Sequence, residues 1–287
     1  MRRFACLALA ACFISSPAFA QNQPAAGQLP SPDEVSKRDT VTVGIGPAVT
    51  PDYEGSDDYR IIPAAAIRGQ VSGISFTTRG TYLYVNVIPK SGGKLDFDAG
   101  PIAGLRLNTR RHIKDDIVDL LPRRKRAFEV GGFVGVSAHG LTNPYDALAF
   151  RLDVTHDIGN AHKSTIVSPN VEFSTPLSRR TYASLNAGME FVSNKFADYY
   201  FSNPEIDSLS GSGAVLLPAF NASGGLKNWK VGMLLNQSIT GDLLHGFSVF
   251  GLGQYSRLVG DFKRSPIVSQ RGSASQWLGA VGVAYTW

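Results

Sequence analysis

From Val41 to the end of the chain, apolar and polar residues alternate in long segments separated by turns bearing Gly, Pro, Asn or Asp, and this period of two predicts β-strands. Over 147–157, Leu148, Phe150, Leu152, Val154 and His156 share one face, while Arg151, Asp153, Thr155 and Asp157 share the other. Over 94–108, Leu95, Phe97, Ala99, Pro101, Ala103, Leu105 and Leu107 oppose Asp96, Asp98, Arg106 and Asn108. A soluble sandwich also alternates, with its apolar face turned to a core. Segment length separates the two: a tilted strand needs about 9–11 residues to cross a bilayer, whereas soluble strands run about 5–6. The pattern predicts an all-β fold, a transmembrane antiparallel β-barrel with an apolar exterior and a charged lumen.

The alternating segments are 41–49, 60–69, 73–88, 94–108, 127–139, 147–157, 163–177, 180–193, 219–237, 246–260 and 275–287. That count is odd, whereas single-chain bacterial barrels have even numbers with both termini on one side. Counted back from the C-terminus, the long connections 261–274, 194–218 and 109–126 are separated by two and then four strands, so all three emerge on the same side. The miscount therefore lies in 41–108, where Gly80 divides 73–88 into two strands. About twelve strands are expected, within a range of 10–14.

Before the alternation begins, Met1-Arg2-Arg3, an apolar run from Phe4 to Ile14 and Ala18-Phe19-Ala20 read as a signal peptide over 1–20. Leu9-Ala10-Ala11-Cys12 also fits the pattern that precedes a lipidated cysteine, although cleavage there leaves a very short apolar core. Residues 21–40 are rich in Pro, Gln and charge and read as a flexible periplasmic leader, leaving 41–287 as the barrel. Both cysteines, Cys6 and Cys12, fall in the signal, so disulfides and cysteine-ligated metals are not expected of the mature chain. Removal of Arg2 and Arg3 lowers the net charge from +5 to +3, a mild excess that argues against a nucleic-acid partner. No mature segment holds 18 uninterrupted apolar residues, so a membrane-spanning form must be a closed barrel. The last strand presents Trp277, Val281, Val283, Tyr285 and Trp287 on one face; Tyr285 and Trp287 are the expected insertion signal for the barrel-assembly machinery.

No catalytic, cofactor or metal site emerges from the spacing. His112, His139, His156, His162 and His245 lack a metal-site pattern, and Gly135-Val136-Ser137-Ala138-His139 misses the nucleophile-elbow motif. His156-Asp157, or Ser137 with His139, would be the rim pair of a barrel hydrolase; the plainer reading puts His156 near the interface with Asp157 opening a turn. The acidic segment 51–60 carries four carboxylates in a turn but makes a poor calcium loop. Arg123-Arg124-Lys125-Arg126, following Arg110-Arg111, makes 109–126 a basic loop, either solvated or placed against the phosphates of lipopolysaccharide.

The acidic turn Pro51-Asp52-Tyr53-Glu54-Gly55-Ser56-Asp57-Asp58-Tyr59-Arg60, the stretches Gly225-Leu226-Lys227 and Tyr255-Ser256-Arg257-Leu258-Val259-Gly260-Asp261, then Ser265-Pro266-Ile267-Val268 and Arg271-Gly272-Ser273, resemble the MipA/OmpV family of outer-membrane proteins. The resemblance spans 41–287. It implies an outer-membrane location in a Gram-negative cell, contact with lipid and lipopolysaccharide, and a non-enzymatic scaffold. In the founding member that scaffold joins a lytic transglycosylase to a penicillin-binding protein in murein (peptidoglycan) synthesis. Other members are associated with adhesion, so a surface adhesin is one alternative; the other is a passive solute channel wetted by Asp96, Asp98, Arg106, Glu129, Arg151, Asp153 and Glu172. Tyr53, Gly55, Ser56, Asp58, Arg257, Asp261, Arg271 and Gly272 carry over as structural or contact positions, none as a catalytic one. Closure of the barrel makes the 50–59 turn and the 261–274 loop neighbours, and we expect Asp57 or Asp58 to pair there with Arg271 or Arg264.

Overall fold

The computed structural model of this 287-residue chain describes residues 39–108, 113–207 and 215–287; the segment expected to be a signal peptide, the expected leader up to residue 38, and Arg110, Arg111 and His112 lie outside the described residues. Twelve antiparallel strands close into one barrel: β1 (Thr40–Pro51), β2 (Tyr59–Val71), β3 (Ile74–Arg79), β4 (Tyr82–Asn86), β5 (Leu95–Arg106), β6 (Ala127–His139), β7 (Ala147–Asp157), β8 (Thr165–Pro176), β9 (Thr181–Val192), β10 (Gly225–Ser238), β11 (Gly246–Leu258) and β12 (Ser275–Thr286). Each strand pairs with its neighbours in sequence, and β12 closes on β1 from Thr42↔Thr286 to Val49↔Gly279. The expected division at Gly80 is present: β3 and β4 form a tight hairpin around it, and its φ of +59° is the left-handed turn conformation that glycine adopts without strain.

Side chains obey the alternation. Ile45, Ile61, Phe97, Val134, Phe150, Leu185, Met233, Val249 and Val283 are exposed on the outward face. On β10–β12, aromatics gather at both margins of this apolar band: Trp229, Tyr255 and Trp277 contact one another in sequence at one end (centroids 5.4 and 4.9 Å apart), and Phe247, Tyr285 and Trp287 at the other (4.7 Å each). Tyr285 and Trp287 thus sit in the girdle beside the chain ends.

Connections between β5 and β6, β9 and β10, and β11 and β12 leave the same end, as the sequence predicts. They carry α1 (Asp116–Asp119), α2 (Asn194–Phe201), α3 (Gly260–Arg264), α4 (Pro266–Ser269) and a two-stranded ribbon of Ile206–Asp207 with Val215–Leu217. The apolar core of the molecule is here, over the barrel mouth: Tyr53, Val118, Phe196, Phe201, Leu217, Phe262, Ile267 and Val268 form one buried cluster that reaches down to Ile166 and Val192 of the wall.

Candidate functional site

The lumen is built in tiers, of which the upper and middle ones are tied between non-adjacent strands and the one beside the termini joins neighbouring strands. At the loop end, fully buried Glu129 of β6 accepts from Arg106 of β5 (2.7 Å) and meets His162 (3.1 Å). Arg106 also reaches Glu190 on β9 (2.9 Å), and Glu190 pairs with Lys227 (2.9 Å), which pairs in turn with Glu54 in the β1–β2 turn. A chain of alternating charge therefore crosses the mouth from β6 to the β1–β2 turn. Lys227 is only 1% exposed, and an ammonium so buried persists only because carboxylates flank it.

Lys227 has the parity of outward Trp229 and Val231, so simple alternation would aim it at lipid. The β9–β10 pairing slips between Leu226 and Asn228, and this bulge turns Lys227 into the lumen. On the cap side, Phe196 of α2 lies against both cations, 5.2 Å from the Arg106 guanidinium and 5.1 Å from the Lys227 ammonium, and edge-on to His162 at 5.0 Å. Positions 196, 197, 200 and 201 are one face of α2, and all four are buried.

The middle tier joins Arg151 to Asp153 (2.6 Å), Tyr84 to Asp153 (3.2 Å) and Arg79 of β3 to Glu172 of β8 (2.6 Å). At the end beside the termini, Lys90 pairs with Asp98 (2.7 Å), Ser137 donates to Asp98 (2.9 Å) and His139 faces Asp96 (3.2 Å). All seven residues named as lumen-wetting face inward, and each is engaged with a partner. Ser137 and His139 serve two different aspartates and form no nucleophile–base pair. Asp157 accepts the N–H groups of Gly159, Ala161, His162 and Lys163 and so opens the turn, as its plainer reading has it.

Four of the motif positions meet where the β1–β2 turn enters the cap. The Tyr53 hydroxyl serves the carbonyls of Ile267 (3.0 Å) and Arg271 (3.2 Å), the Gly55 N–H donates to Gln276 (3.0 Å), and Gln276 donates to the Ser56 carbonyl (2.9 Å). Gly272 packs so closely that an added Cβ would stand 2.0 Å from the Gly55 carbonyl oxygen. The turn and the 261–274 loop are thus neighbours as expected.

Their expected ion pair is not made. Arg271 binds Asp115 (2.9 Å), Arg264 binds Asp261, and Asp58 lies 3.8 Å from Lys114. Asp115 outcompetes the turn because it is already fixed: one oxygen caps α1 by accepting from Ile117 (3.0 Å) and Val118 (2.9 Å), leaving the other for the guanidinium. Arg257 and Asp261 lie apart from this junction. Arg257 donates to Ser275 at the rim (3.0 Å); Asp261 accepts from Arg264 and from the Ser223 N–H (2.9 Å), which hold its carboxyl below the usual range. The basic run packs on the cap: Arg124 stacks over Tyr199 at 4.9 Å, and the Lys125 N–H donates to that phenol (2.8 Å).

Sequence reasoning missed Glu54, Tyr82, Glu190, Phe196 and Lys227 as site residues. One local signal was available, a lysine at an outward position of an apolar strand, which marks a bulge. Among the described residues, no group of three or more His, Cys, Asp or Glu is arranged to hold a metal ion.

A family model described as MltA-interacting protein MipA matches residues 43–287. No curated protein matches the chain. Among solved structures, the NanC porin is 10% identical with a TM-score of 0.43, covering 86% of this chain and 98% of its own. The CymD monoaromatic hydrocarbon channel is 8% identical with a TM-score of 0.41, covering 89% and 91%. A loop L8 deletion mutant of OmpT, an outer membrane protein of Vibrio cholerae, is 8% identical with a TM-score of 0.32, covering 87% and 99%. These likenesses are to the barrel fold.

Proposed function

The chain belongs to the MltA-interacting protein MipA family, and from that premise we propose that it is a non-enzymatic scaffold of the outer membrane that holds murein-remodelling enzymes against the barrel. The family name supports a lytic transglycosylase as one partner; a penicillin-binding protein would be the second. What favours a scaffold over a passive channel is the Glu54–Lys227–Glu190–Arg106–Glu129 chain beneath the loop cap, which occupies the mouth that ions would have to cross. The short turns 140–146 and 177–180, on the side of the termini, would face the periplasm and carry the partner contacts.

Two measurements test this. In a planar bilayer the purified barrel should pass no steady current, and detergent-solubilised membranes should yield a lytic transglycosylase with the tagged protein. Steady ohmic conductance with no murein enzyme retained would overturn the scaffold in favour of the channel. Retention of cell-surface ligands alone would favour an adhesin.

A further inference from the structure

The barrel wall is incomplete on one seam. β2 has 13 residues and β3 only 6, so the two pair from Arg68↔Thr77 to Val71↔Ile74 and no further. One step beyond, the Ile67 N–H donates to the Thr78 hydroxyl (2.9 Å). From there β2 continues to Tyr59 with β1 on one side and, among the described residues, no strand on the other. Because the Ile67 N–H faces this seam, alternation turns the backbone of Ala65, Pro63 and Ile61 the same way. Pro63 brings no N–H to the open edge, which is where strands admit proline.

The seam lies within the apolar band. Ile61 is 75% exposed, and Tyr59 just above it accepts the N–H of the girdle residue Trp277 (3.1 Å). At that depth, unpaired backbone persists only where it lines a cavity or is covered. Beside this edge, a shallow and largely open hollow of about 560 Å³ lies over the β1–β2 hairpin, lined by Ile45, Gly46 and Pro47 of β1 and by the β2 residues from Ile61 to Ala65.

Inward, β2 presents Arg60, Ile62, Ala64, Ala66 and Arg68: three apolar positions between two cations. Neither arginine makes a direct ion pair among the described residues; the buried Arg60 Nε has no hydrogen-bond partner, and the Arg68 guanidinium lies over the Tyr182 ring at 5.5 Å, bonded to its hydroxyl and attracted from a distance by Glu172. On the β1 and β12 side the adjoining lumen surface is also apolar, with Ala48, Ala280 and Ala284 buried there, whereas on the β3–β5 side it carries the paired Arg79, Tyr82 and Tyr84. An apolar stretch opening to the bilayer, flanked by two guanidiniums that no carboxylate contacts directly among the described residues, is complementary to one chemistry, a single acyl chain with an anionic head.

We propose that the β2–β3 seam is a lateral window that binds the acyl chain of an anionic amphiphile, with its carboxylate or phosphate held inside by Arg68 and Arg60. This goes beyond the scaffold reading and does not depend on it. A test uses the full-length protein in phosphatidylcholine nanodiscs with a diazirine-bearing dodecanoate, and label is mapped by mass spectrometry. Label should concentrate on 60–68, dodecanoate should compete and 1-dodecanol should not. Arg68→Gln should weaken dodecanoate competition about tenfold, the loss of a charge-assisted contact. Ala64→Trp, with its electrophoretic heat-modifiability intact, should abolish labelling by filling the slot. Label spread evenly over the outward faces of β8 and β9, or equal competition by dodecanol, overturns the proposal. So does protection of 60–68 by a co-purifying polypeptide added as a strand. The murein pull-down is a separate readout, so failure of either idea leaves the other standing.

Discussion

The two halves of the barrel wall solve the same problem with opposite chemistry. From β3 to β10, inward positions carry Arg79, Tyr82, Tyr84, Arg106, Glu129, Arg151, Asp153, Glu172 and Glu190, joined within strands, between neighbours and across the lumen by bonds of 2.6–3.2 Å. From β11 through β12 and β1 to β2, the inward positions of the middle of the wall are Phe250, Leu252, Leu278, Ala280, Gly282, Ala284, Gly44, Ala48, Ile62 and Ala64, with polar side chains such as Ser248, Gln276, Arg60 and Arg68 at its two ends. There Phe250 lies flat over two glycines: a Cβ on Gly282 would stand 2.6 Å from its ring and one on Gly44 3.0 Å. The charged half is rigid through directional pairing, the apolar half through packing, and the incomplete seam falls at their junction. Closing a barrel satisfies the backbone whatever the lumen contains, so lumen chemistry is free to differ from one side to the other.

The sharpest way to break this contrast is to remove a charge from the paired side. Lys227→Ala takes one of two cations from buried Glu190, leaving it Arg106 alone, and, among the described residues, the only one from half-buried Glu54, and should cost about 3 kcal/mol, read as a lower urea midpoint in detergent. Replacing Lys227 and Glu190 together by Met and Leu should recover much of that loss. On the packed side, Phe250→Ala uncovers two glycines and should cost about 2 kcal/mol by the same assay, since this ring is only half-buried. If Phe250→Ala proves the more damaging, packing rather than pairing dominates the lumen. Tyr53→Phe removes the one O–H donor, shared between the Ile267 and Arg271 carbonyls, that binds the β1–β2 turn to the cap and should cost about 1 kcal/mol. It should appear as faster amide exchange in 260–274 with the strands unchanged.

The smallest effect concerns pH. In the β6–β7 turn, the hydroxyl of Thr142 and the N–H groups of Leu141, Thr142 and Asn143 hold the Asp146 carboxyl down to about 2. A depressed carboxyl contributes stability that is full above its unfolded value of 3.8 and is lost as pH falls through about 2. Exchange of the Leu141 and Thr142 amides should therefore keep the same protection from pH 7 to 5, and lose it only in strong acid. Asp146→Asn should show weakened protection already at pH 7.

Much of the fold was legible because alternation is local. It assigned the outward apolar band and the inward charges, and the parity of strands located the missing turn at Gly80. Tyr53, Gly55, Ser56 and Gly272 were legible as a group, although their contacts proved to be backbone and amide bonds and not ion pairs. Lys227 and Glu190 were not, since a bulge reverses the parity of one and nothing local marks the other.

The sequence by itself thus determined the barrel, its strand number, the common side of its three long loops and the polarity of each face, all of which follow from a period of two and a count. Only the tertiary structure decided which charge meets which, Arg106 with Glu190, 84 residues away, and Arg271 with Asp115 and not with the acidic turn, and that among the described residues part of the β2 edge has no strand beside it. Such partners depend on the stagger accumulated around the closed wall and on where a bulge shifts it, and neither is written in any single strand.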